Sequence, residues 1–60
     1  MIYKEFCELT TGDKCVFIRT GEPGRVLSIN RDRGDILLQA NLYGMGMKKE
    51  WFHYTNLAKI

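Results

Sequence analysis

From Cys15 onward, four compact runs rich in β-branched, aromatic and other apolar residues follow one another closely. They are Cys15–Arg19 (CVFIR), Arg25–Asn30 (RVLSIN), Asp35–Tyr43 (DILLQANLY) and Lys48–Tyr54 (KKEWFHY). Glycine-bearing or charged stretches separate them: Gly12-Asp13, Gly21-Glu22-Pro23-Gly24, Arg31-Asp32-Arg33-Gly34 and Gly44-Met45-Gly46. The closing TNLAKI (Thr55–Ile60) predicts a single turn and a short fifth strand. Short strands at this spacing, with turn residues between them, predict an all-β sandwich or barrel. In RDRGD, Gly34 sits where a positive φ closes a hairpin, which places Ile29 opposite Ile36.

The chain has 60 residues, so we expect one domain over 1–60, with a lead-in at 1–11 and the barrel at 12–60. A domain of this size buries only about 60% of the surface its unfolded chain exposes, so its core is small. In the lead-in, Ile2, Phe6 and Leu9 share one helical face, but a helix and an extended segment both fit. Cys15, Val16, Phe17 and Ile18 cannot all face one core, because strand side chains alternate. Either a partner or the lead-in covers the second face, and the lead-in is the economical choice.

Composition narrows the function classes. A hydrophobic content of 45% with 27% charged residues is globular, and the net charge of +2 permits phosphate contact without demanding it. No apolar run is long enough to span a bilayer, Met1 is followed by nothing resembling a signal peptide, and no Asn is followed by the glycosylation pattern. A cytoplasmic protein is the expectation. Cys7 and Cys15 are too few for a disulfide scaffold. They read as thiols, Cys15 in a strand and Cys7 half-buried, with a bridge between them as the alternative.

The segment GDKCVFIRTGEPGRVLSI resembles the opening of an SH3-like barrel of the KOW and Tudor kind. The matching residues are Gly12-Asp13 before the first strand, a Gly21–Gly24 loop, and Gly24-Arg25-Val26 entering the second strand. The end is similar too: an aromatic strand, a tight turn carrying Leu57, and a final apolar Ile60. The resemblance implies a five-stranded barrel over roughly Leu9–Ile60, and carries fold better than function. Plasmid-encoded type II dihydrofolate reductase is similar in its Gly-Asp start, G-x-V entry and closing L-x-x-I. That family lines a shared pore with Gln-Ile-Tyr, where this chain has Glu50, Trp51 and Phe52, so the resemblance does not extend to reductase activity.

Four stretches invite a chemical reading. GEPGRV lacks the lysine and hydroxyl of a Walker loop and precedes a strand rather than a helix, so it reads as a strand connection bent by Pro23 and Gly24. GMGMKK is a hairpin tip, and Tyr43, Met45 and Met47 put adaptable apolar side chains on it for a protein partner. KKEWFHY offers charge and stacking surface; alternation puts Trp51 and His53 on one face and Phe52 and Tyr54 on the other, with Phe52 inside. A Tudor-like cage for a methylated cation would need Tyr43, Trp51 and Tyr54 to converge. His53 is the only histidine, and with Cys7 and Cys15 it has no zinc-ligand spacing, so no metal, cofactor or small-molecule substrate is expected.

These observations predict a non-catalytic binding module. The first expectation is contact with nucleic acid or a ribonucleoprotein through Arg19, Arg25, Arg31, Arg33, Lys48 and Lys49, with Trp51 or Tyr54 stacking. The alternative is a protein-binding adaptor or inhibitor, self-associating or not, that uses the Tyr43–Met47 loop and an apolar strand face.

Overall fold

A computed structural model of the chain describes residues 1–60. A short helix α1 (Tyr3–Glu8) precedes strands β1 (Lys14–Phe17), β2 (Glu22–Asn30), β3 (Asp35–Asn41), β4 (Met47–His53) and β5 (Leu57–Lys59). Two single 3-10 turns, Leu42–Gly44 and Tyr54–Asn56, precede β4 and β5. All pairings are antiparallel and give one sheet in the order β4-β3-β2-β1-β5. The expected all-β class and five strands are therefore found, and the lead-in is helical.

The sheet curls strongly. β1 and β4 are three strands apart, which in a flat sheet means about 14 Å. Yet the rings of Phe17 on β1 and Phe52 on β4 have centroids 4.5 Å apart. Two local features of β2 permit the bend. A bulge between Val26 and Ser28 leaves Leu27 unpaired and increases the local twist. At Gly24, a side chain would meet Leu38, the Gln39 carbonyl and Ala40, so only glycine lets β2 lie that close to β3. No backbone pairing joins β4 to β5, so the seam is closed by side-chain packing alone.

One core of eleven buried residues fills the curl: Phe6 and Leu9 from the lead-in, with Cys15, Phe17, Val26, Ile36, Leu38, Ala40, Leu42, Phe52 and Leu57. Phe52 is inside as alternation requires, and Ile29 pairs with Ile36 across the hairpin closed by Gly34 (φ +73°).

Several sequence-based expectations need correction. The bend between β1 and β2 is Ile18–Gly21, closed by the Gly21 N–H donating to the Phe17 carbonyl at 2.7 Å. Pro23 and Gly24 are not in it. They lie in β2, opposite Val16 and Cys15. Pro23 is acceptable there because its missing donor is not required where β2 has run past the end of β3 pairing at Gly24. Ile18 is correspondingly outside β1 and exposed. The lead-in does not cover a second face: Phe6 and Leu9 join the same core, Ile2 points to solvent, and Val16 stays half-buried on the outer side. Cys7 is exposed rather than half-buried, and both cysteines are free thiols.

Arg31 fastens α1 to the sheet. Its guanidinium donates to the carbonyls of Phe6, which also accepts from the Leu9 N–H, and of Leu9 at the helix C-cap, and it stacks 5.2 Å from the Phe6 ring centroid. Arg31→Ala is expected to lower stability by about 2 kcal/mol, as a charged hydrogen-bonding group is lost from part-buried acceptors. Arg31→Lys recovers little of this, since an ammonium lacks the planar fork. Denaturant midpoints of the three proteins check the order.

Candidate functional site

Strand register decides which side chains share the outer surface. Ile36, Leu38 and Ala40 of β3 point into the core, so Leu37, Gln39 and Asn41 point outward. Lys14 lies opposite Arg25, Arg25 opposite Gln39, and Gln39 opposite Lys49, which makes one lateral row across four strands. One pleat to one side, Asn41 pairs with Met47. One pleat to the other, Ser28, Leu37 and Trp51 form the next row.

Neighbouring strands are about 4.8 Å apart, so Lys14 and Arg25 are one step apart and Arg25 and Lys49 about 10 Å apart at the backbone. Trp51 follows Lys49 on the same face, half-exposed at 50% above Leu37. None of these three rows contains a carboxylate. The next one along β3 is Asp35, and it lies 3.9 Å from Arg33, the only ion pair in the molecule. A shallow cleft of about 340 Å³ opens on this face between Lys14, Pro23, Gly24, Arg25, Gln39 and Met47. The Gln39 side-chain amide is exposed there and has no hydrogen-bond partner within the chain.

The fold thus brings together three of the eight residues expected to meet nucleic acid: Arg25, Lys49 and Trp51. Arg31 is taken up by the helix carbonyls. Arg33 sits in the β2–β3 turn beyond Asp35. Lys48 lies opposite Ala40, on the alternate side of β4 from Lys49. Arg19 occupies the β1–β2 turn at the mouth of the curl. Tyr54 is half-buried against the core, stacked on Phe6 at 4.9 Å and beside His53 at 4.6 Å. The partner-loop residues Tyr43, Met45 and Met47 are all exposed but divided: Tyr43 turns to the mouth against Phe17, and Met47 lines the outer cleft.

Sequence reasoning missed Lys14 and Gln39. The signal for both is the pairing partner of Arg25, and the turn-like composition of Pro23-Gly24, which in fact lie in β2, hides it.

The Cys15 thiol is fully buried, and burial pushes its pKa up, so it remains a protonated hydrophobe. His53 accepts at Nδ1 from the Thr55 backbone N–H and contacts its hydroxyl at 2.9 Å, which makes it the cap of the turn before β5. No cluster of three or more His, Cys, Asp or Glu side chains is close enough to hold a metal ion, and no helix is long and apolar enough to cross a membrane. No family model, curated protein or solved structure matches this chain.

Proposed function

We propose that this protein is a non-catalytic module that binds single-stranded nucleic acid along its outer sheet face. The observation that carries this reading is the carboxylate-free row Lys14–Arg25–Gln39–Lys49 with Trp51 beside it. Cations at steps of one and two strands meet backbone phosphates, while an exposed ring offers a stacking platform. A single strand is favoured over a duplex because unpaired bases are free to stack on one side chain. The meander order and the 3-10 turn before β5 support placing the scaffold among SH3-like barrels of the KOW and Tudor kind.

The test is titration with fluorescent single- and double-stranded oligonucleotides across salt concentrations. Binding of the single strand is expected with a log–log salt slope of about −2, the value for three displaced counterions. An unchanged amide spectrum at low salt with every oligonucleotide refutes the reading.

A second reading rests on β4, whose seven residues leave one edge unpaired and carry exposed Met47 and Trp51. Such an edge accepts a strand from a protein partner or a second copy, although Lys48 and Lys49 blunt self-pairing. Light scattering after size exclusion tests the second copy directly.

A further inference from the structure

The mouth of the curled sheet holds a second cavity, of about 360 Å³, that shares no residue with the basic face. Its floor is the Phe17–Phe52 ring pair, and Tyr43 forms a wall, edge-on to Phe17 at 6.1 Å and 85°. Ile18, 57% exposed, forms the rim. Tyr43 is the only non-glycine residue with a positive φ, at 57°. This backbone conformation is costly for an L-residue, and such strain gathers at binding sites. Here it holds a ring, itself 56% exposed, over the opening instead of letting it fold away.

The charge at this mouth is of one sign. Arg19 is the only ionic residue of the lining, it forms no ion pair, and no carboxylate lines the cavity. Beside it the Asn56 side-chain amide is without an intramolecular hydrogen bond. Three rings with an anionic neighbour would suit a methylated cation; three rings with an arginine repel one. The volume lies at the small end of ligand cavities.

We propose that this mouth is a binding site for an apolar carboxylate the size of one amino-acid residue. Its hydrocarbon body rests on Phe17, Tyr43 and Phe52. Its carboxylate takes the guanidinium fork of Arg19 and a hydrogen bond from Asn56. The ligand is either a free acid or the last residue of a peptide.

The test follows backbone amide shifts by NMR during titration with N-acetylphenylalanine, its primary amide, N-acetyl-trimethyllysine amide, and the peptide Ala-Ala-Phe. The acid is expected to shift Ile18, Arg19, Tyr43 and Asn56, and to bind about tenfold or more tighter than its amide and the trimethyllysine probe. Arg19→Ala removes that acid-over-amide preference, and Arg19→Gln serves if the alanine variant is poorly folded. Ala-Ala-Phe binding as well as the acid assigns the site to a peptide C-terminus, and weaker binding assigns it to a free acid. Equal binding of acid and amide, preference for trimethyllysine, no shift up to the solubility limit, or an Arg19 variant that keeps the preference each overturns the proposal. None of these outcomes depends on nucleic-acid binding by the outer face.

Discussion

Gly24→Val is expected to leave the chain unfolded at room temperature, and Gly24→Ala to lower its denaturation midpoint sharply. A Cβ built at Gly24 stands 2.7 Å from Leu38 Cγ, 2.8 Å from the Gln39 carbonyl oxygen and 2.9 Å from Ala40 Cβ. Leu38 and Ala40 are fully buried, and Gln39 O belongs to the backbone of β3, so none of the three is a flexible tip that swings away. Gly24 is also paired on both sides, with Cys15 and with Ala40, so relief by moving β2 opens two ladders together. Overpacking a tight site costs about 1–3 kcal/mol for small insertions and more for a branched side chain. A 60-residue domain has a total stability of only about 3–9 kcal/mol. Circular dichroism and amide dispersion read the result. A valine variant with a dispersed spectrum and an unchanged midpoint would show that the curl does not depend on close approach at this position.

Trp51→Ala is expected to weaken single-strand binding by about 1–3 kcal/mol, or roughly five- to 150-fold, while leaving the fold intact. Trp51 is half-exposed and outside the core, so its removal leaves no internal cavity. Arg25→Ala and Lys49→Ala should each reduce the salt slope by about 0.7, because each removes one phosphate contact. Tyr54→Ala separates stacking from scaffolding. Its ring packs on Phe6 and His53, so the loss should appear in thermal stability. Tyr54→Ala that binds oligonucleotide as poorly as Trp51→Ala, in a protein still fully folded, would place the site elsewhere. Fluorescence anisotropy with a short oligonucleotide, beside a melting curve for each variant, gives both readings.

The sequence was most informative where alternation and turn chemistry act locally. The β-rich runs, the hairpin at Gly34, the inward Phe52 and the closing turn before Leu57 all follow from contacts between near neighbours in the chain. It misled where a residue's ordinary preference was overridden by tertiary packing. Pro23-Gly24 has the composition of a turn, yet the turn ends at Gly21 and the pair continues into β2. Arg31 and Tyr54 are chemically suited to nucleic acid, but the carbonyls at the C-terminal end of α1 and a small core short of aromatic surface take them first.

Sequence alone therefore determined the class of fold, the number of strands and which residue types were available for binding. Only the tertiary structure decided which of the cations lie together on one face. The reason lies in register: side chains change face at every residue, so the end point of a single turn decides whether Arg25 lies beside Lys14 and Lys49 or on the far side of the sheet. The same curl that buries Phe17 against Phe52 opens the mouth guarded by Tyr43 and Arg19, bringing together side chains from β1, its following turn and the β3–β4 connection. No local pattern encodes that meeting, because it arises from the bending of the whole sheet.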